Sequence, residues 1–144
     1  MNKKAEKMNS YLISNNYRVR GYEVPNDPNH TVRIAIMAKD NREYIVQLGD
    51  HDVIGCMCVL AHDVDAQKCP EIYRVCNDLT AKYLSHSYRL DKDNNLCVAF
   101  SVLASDASFD PEQLIGYCCL IDMYVGQDLG DLIKVLNSGI VGKE

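Results

Sequence analysis

From Leu114 to Val125 the chain reads LIGYCCLIDMYV, and Asp122 is the single charge in it. The preceding FDPEQL (109–114) is a helix start, with Asp110 as N-cap, Pro111 at the first helical position and Gln113 three residues past the cap. Each satisfies or excuses a backbone N–H that the first turn leaves without a partner. Leu114, Cys118, Ile121, Val125, Leu129, Leu132 and Leu136 then recur at steps of four and three, and Gly139 is placed to end the run. A helix with one apolar seam needs one cover, whereas a helix apolar almost all round must be covered on more than one side. One side can lie on the chain's own sheet. The remainder calls for the first helix, a second subunit or a bound partner.

The layer beneath that helix is legible as strands. TVRIAIMA (31–38) sets Val32, Ile34 and Ile36 on one face; the turn KDNR (39–42) leads to EYIVQLG (43–49), which aligns Tyr44, Val46 and Leu48. VIGCMCVLAHDV (53–64) is apolar on both faces, which predicts a position in the middle of a sheet. YRVRGYEV (17–24) is a further strand whose alternation changes face at Gly21, predicting a bulge there, and PNDPNH (25–30) is loop chemistry. YRLD (88–91), the turn KDNN (92–95) and LCVAFSVLA (96–104) form a hairpin with Leu96, Val98, Phe100 and Val102 on one face.

Two shorter helices complete the pattern. Residues 3–15 carry Ala5, Met8, Tyr11 and Leu12 at helical spacing, and Asn15-Asn16 ends them. Pro70 opens a second helix in which Ile72, Val75, Cys76, Leu79 and Tyr83 face inward while Glu71, Arg74, Asp78 and Lys82 face water. The predicted order is α-β-β-β-β-α-β-β-α, an α+β fold in one domain, 1–144, with helices packed on an antiparallel sheet. A chain of 144 residues, 47% hydrophobic, is long enough to bury such a core.

The net charge of −5 argues against nucleic acid, whose binders need a dense cationic face. Lys3, Lys4, Lys7, Arg18 and Arg20 read as a solvated face. The longest apolar run, VIGCMCVLA (53–61), is far short of the ~20 residues a membrane helix requires. MNKKAEKMNSYLISNN has a basic start but no apolar segment behind it, so it does not read as a secretory signal. Seven cysteines, an odd number, fit free thiols in a reducing cytoplasm.

None of the reactive-looking groups assembles into a catalytic pattern. Adjacent helical residues project about 100° apart, so Cys118 belongs to the core seam and Cys119 to another side, near Met123. Both read as small hydrophobes. Cys56 and Cys58 share one face of their strand and Cys97 lies on another; a three-thiolate zinc site is conceivable, but zinc knuckles sit in turns, not mid-strand. His51-Asp52 and His62-Asp63 fall at opposite ends of one strand, roughly 35 Å apart at ~3.3 Å per residue, and cannot meet. Ser85, His86 and Ser87 are merely adjacent, which does not make a triad. Asp106, Asp110, Glu112, Asp122, Asp128 and Asp131 read as helix-start or solvent-facing acids. No nucleotide, metalloprotease or hydrolase motif occurs. The expectation is no catalytic residue, no metal and no cofactor.

An apolar helix bearing Asn77, EIYRVCNDLTAKY, leads into the hairpin YRLDKDNNLCVAFSVL, then a D-P-E-Q helix start and a long closing helix with DMYVGQDLGDLIKVLNSG. In this order of elements, most closely over residues 69 to 139, the chain resembles the YbjN-type bacterial proteins described as sensory-transduction regulators. Their fold is similar to that of the class I type III secretion chaperones. The resemblance implies a curved antiparallel sheet with helices on one side, a homodimer, and a non-enzymatic regulatory or protein-binding role, with Asn77 structural. The strand material between residues 31 and 64 departs from the shorter secretion chaperones.

Two functions follow as expectations. The first is a cytoplasmic bacterial interaction protein, homodimeric, binding a partner protein or peptide through Tyr117, Cys119, Leu120, Met123 and Tyr124. The alternative is a small-molecule or metal-binding domain using Cys56, Cys58 and His62, or a pocket between sheet and helix.

Overall fold

The computed structural model describes residues 1–38 and 41–137; Lys39 and Asp40 of the expected 39–42 turn and the expected stop at Gly139 lie outside the described residues. The elements follow the predicted order: α1 (Lys3–Ser14), β1 (Arg20–Glu23), β2 (Val32–Met37), β3 (Glu43–Leu48), β4 (Val53–Ala61), α2 (Cys69–Lys82), β5 (Ser87–Leu90), β6 (Leu96–Leu103) and α3 (Pro111–Asn137). The strands form one open antiparallel sheet in the order β1-β2-β3-β4-β6-β5. The fold is α+β.

Alternation decides which way the sheet faces. Val32, Ile34 and Ile36 of β2, Tyr44, Val46 and Leu48 of β3, and Ile54, Cys56 and Cys58 of β4 are all buried on the helix-covered face. Tyr88 and Leu90 of β5 and Leu96 and Val98 of β6 extend that surface, with Phe100 and Val102 packed at its margin. The helices meet it with Met8 and Leu12 of α1, Ile72 and Leu79 of α2, and Leu114, Ile121, Val125 and Leu132 of α3. Each fully buried Leu or Ile in such a core contributes about 1.5–3 kcal/mol through removal from water. The doubly apolar strand β4 lies between β3 and β6, inside the sheet as its composition requires.

Helix α1 departs from the expected solvated cluster. Lys4 is wholly buried, its Nζ donating to Asp106 Oδ1 at 2.8 Å and to the carbonyls of His51 at 3.1 Å and Gly49 at 3.3 Å. A buried ammonium is tolerated because all three donors are used. The Lys4 contact also holds the Asp106 carboxyl below the ordinary aspartate range. Asn2 caps the helix by accepting from Ala5 N at 2.8 Å, while its Nδ2 donates to Leu48 O at 2.8 Å and His30 O at 2.9 Å. The start of α1 is thereby tied to the β3–β4 turn. Its end is the asparagine pair: Asn16 takes φ 62°, and Tyr17 N bonds Leu12 O while Asn16 N bonds Ile13 O.

The bulge expected at Gly21 is absent. β1 pairs with β2 in unbroken register, Gly21 opposite Ile34. A Cβ on Gly21 would stand 3.2 Å from both the Arg33 carbonyl and the Ile34 side chain, so the glycine permits close approach and not a register change. The alternation breaks because β1 lies at the sheet edge and all four of its residues are exposed.

Candidate interaction surface

Helix α3 begins as its sequence predicts, Asp110 Oδ1 accepting from Glu112 N at 3.0 Å. Gln113 does not reach back to the cap; its Nε2 donates to Tyr117 OH at 3.1 Å, so half of the expected capping box is unmade. The seam also turns. Leu114, Cys118, Ile121 and Val125 are buried as expected, but beyond Val125 the deepest positions are Asp128, Leu132 and Val135, with Leu129 and Leu136 only partly covered.

Two acids expected in solvent, Asp122 and Asp128, are buried. Asp122 Oδ1 accepts from Arg42 Nε at 2.6 Å and from Tyr44 OH at 2.7 Å, and the Asp122 carbonyl accepts from Arg42 Nη2 at 3.4 Å. Asp128 Oδ2 accepts from Tyr88 OH at 2.6 Å; its Oδ1 accepts from Tyr83 OH at 3.0 Å and lies 3.5 Å from Lys82 Nζ. Ionised carboxylates survive at such depth only with charge-assisted bonds of this kind. The phenols respond in turn: burial, then the bonds to Asp122 and Asp128, push the Tyr44 and Tyr88 hydroxyls well above the ordinary tyrosine value. The two sites clamp α3, one to β3 and one to the α2–β5 corner.

That corner is aromatic. His86 stacks on Tyr83 with centroids 4.4 Å apart, lies 5.9 Å from Tyr124 and meets Tyr88 edge-on at 5.4 Å. Its Nδ1 is 2.8 Å from Ser85 Oγ, and its buried Nε2 has no hydrogen-bond partner among the described residues. Burial holds the His86 imidazole below its ordinary pKa of 6.5, with the Asp128 carboxylate pulling the other way. The ring is therefore neutral in both states well above that value. As pH falls through it, the unfolded chain takes up a proton first, and stability drops until the folded ring protonates too. Urea unfolding from about pH 7 down to about pH 5 should show a decline that His86→Phe partly flattens, the phenyl ring retaining the stack.

Five of the seven thiols are buried, whereas Cys69 is half-buried and Cys119, expected to pack as a small hydrophobe, is exposed. Cys56 of β4 and Cys118 of α3 meet across the core, sulfur to sulfur 3.7 Å. The bond to Cys118 and burial together push the Cys56 thiol far up; burial pushes Cys58 up to about 12 and Cys76 to about 11. Thiolates, the reactive and metal-binding form, are thus disfavoured. The conceivable zinc cluster does not assemble: Cys58 pairs with Val98 and Cys97 with Val59, which puts Cys97 on the face opposite Cys56 and Cys58. His62 is exposed just beyond the end of β4, whereas Cys56 and Cys58 are buried. Among the described residues no three His, Cys, Asp or Glu groups are arranged to hold a metal ion.

What remains on α3 is its outer side. Tyr117, Leu120 and Met123 are 39%, 46% and 52% exposed, with Cys119 exposed beside them. Tyr124 differs from the other four expected interface residues: it is half-buried, its ring 5.1 Å from Tyr83. Between Gln113 and Gln127 this outer strip carries no charge, since Asp122 points inward. A Cβ on Gly116, next to Tyr117, would touch nothing, leaving an open notch in the strip. Although α3 runs for 27 residues, no described helix is long and apolar enough to cross a membrane.

No protein-family model matches the chain, and no curated protein does. Among solved structures, an uncharacterized protein from Methanothermobacter thermautotrophicus is similar, with a TM-score of 0.51 and 15% identity, over 92% of this chain and 94% of that one. At that identity the likeness shows the fold, and it extends over nearly the whole of both chains.

Proposed function

We propose that this chain is a non-catalytic, cytoplasmic interaction module of the YbjN type. It acts as a homodimer with a regulatory or chaperone-like role toward a partner polypeptide. The observation that carries the reading is the uncharged outer strip of α3, where Tyr117, Leu120 and Met123 stand exposed in a chain of net charge −5. A second copy is the occupant that best suits it. Two copies of an uncharged strip meet without like-charge repulsion, and the notch at Gly116 lets the helix backbones approach. The inward-turned acids, raised thiol pKa values and unassembled metal ligands support a binding role over a chemical one.

Light scattering after size exclusion is expected to give the mass of two chains at tens of micromolar. Leu120→Glu with Met123→Glu should place like charges across the two-fold axis and weaken the dimer about 100-fold or more, returning one-chain mass. A wild-type chain that stays monomeric at that concentration would remove the proposal.

A further inference from the structure

The sheet's other face carries a feature that the dimer strip does not use. Across the strands, register lines up Arg33 of β2, Gln47 of β3, Gly55 of β4 and Ser101 of β6. The adjoining row is apolar at its centre: Ile45 of β3, Met57 of β4 and Ala99 of β6. These rows floor a groove of about 730 Å³. Its flanks are cationic. Among the described residues Arg33 bonds only neutral groups, donating to Gln47 Oε1 at 2.8 Å and to Tyr22 OH at 3.4 Å, and makes no ion pair. On the far side stand exposed Arg89 and Lys92, with Asp93 as the single acid lining the groove among the described residues. Three cations against one acid, in a chain of net charge −5, is a marked segregation of charge.

Width specifies the occupant. Arg33 and Arg89 lie on strands four inter-strand spacings apart, about 19 Å. An α-helix with its side chains is about 10–12 Å across. A helix laid along β3, β4 and β6 would rest on the apolar row, with an arginine within side-chain reach on either flank. We propose that the open sheet face docks an amphipathic helix of a partner polypeptide, one with a narrow apolar stripe bordered on both sides by Asp or Glu. A second copy is disfavoured here, because an isologous contact brings two copies of the same cationic flanks, Arg33, Arg89 and Lys92, into one interface. A nucleic-acid strand is disfavoured by the apolar floor and the small number of cations. The inference rests on the reading of the chain as a binding module, but not on the dimer, which uses the opposite side of the molecule.

The probe is a synthetic peptide of about 20 residues, the length of a helix matching β4, with Leu along one stripe, Glu flanking it and Ala elsewhere. Its twin carries Lys in place of every Glu. Calorimetric titration into the wild-type chain should give saturable, salt-sensitive binding of the Glu peptide, with the Lys twin at least about tenfold weaker. Arg33→Glu with Arg89→Glu should weaken the Glu peptide by about tenfold or more, and Arg89→Glu alone, at a fully surface position, by a lesser factor. Amide shift mapping on the unmutated chain keeps the proposal testable if the double variant misfolds; the shifts should cluster at Ile45, Met57 and Ala99. The proposal is overturned if neither peptide binds, if both bind equally, if the shifts map to α3, or if an oligonucleotide of equal charge competes as well as the Glu peptide. The dimer reading is judged by mass alone, so each can fail without the other.

Discussion

Asp122→Ala is expected to destabilise the fold by about 3–5 kcal/mol, the range for removing one partner from a buried ion pair. The carboxylate is only 8% exposed and Arg42 only 16%. Alanine takes away the acceptor of both Arg42 Nε and the buried Tyr44 hydroxyl. Asp122→Asn should cost less, about 2 kcal/mol, because both bonds arrive at one oxygen and an amide oxygen can accept them while the charge is lost. Chemical denaturation of the three chains would check the order, wild type above Asn above Ala. Equal stability of Asp122→Ala and wild type would mean that the clamp holds nothing.

The placement of these acids suggests why the helix tolerates them. Apolar contacts along α3 are non-directional, and a helix greasy on most sides could seat on the sheet in several rotations. Two carboxylates six residues apart, each accepting bonds only in one orientation, select among those rotations. That choice decides which residues are left outside. It is the inward turn of Asp122 that keeps the strip from Gln113 to Gln127 free of charge, and hence available to a second apolar strip.

The sheet was legible because each strand states its own face: Val32, Ile34 and Ile36, or Tyr44, Val46 and Leu48, need no knowledge of distant residues. The buried polar groups were not, because their meaning depends on partners far along the chain. Asp122 is 78 residues from Tyr44 and 80 from Arg42, and Asp128 is 40 from Tyr88. Taken alone, an acid on a helix belongs in water, and so does Lys4. The usable signal was contextual: a lone acid within twelve otherwise uncharged residues is either a defect or paired. The open-face groove has a similar history. Arg33, Gln47, Arg89 and Ser101 each alternate properly with core residues, but only the strand order β2-β3-β4-β6-β5 brings them to one surface.

Asp128→Ala should cost about 3 kcal/mol, and the informative measurement is its non-additivity with Tyr88→Phe. In the wild type, Tyr88→Phe removes a 2.6 Å bond to a carboxylate and should cost about 1.5–3 kcal/mol. Once Asp128 is gone, the Tyr88 hydroxyl is a buried donor without its acceptor, so deleting it should cost nothing or restore some stability. The double-mutant cycle should therefore return a coupling of about 2 kcal/mol. Tyr83→Phe should couple more weakly, since its hydroxyl makes the longer bond and its ring is only half-buried. Asp128→Ala also acts on His86, whose pKa the Asp128 charge raises against the pull of burial. Without that charge the folded imidazole titrates lower still, so Asp128→Ala should go on losing stability with falling pH past the point where the wild type has levelled off. A cycle that sums additively, together with an unchanged pH profile, would show that Asp128, Tyr88 and His86 are neighbours without being a unit.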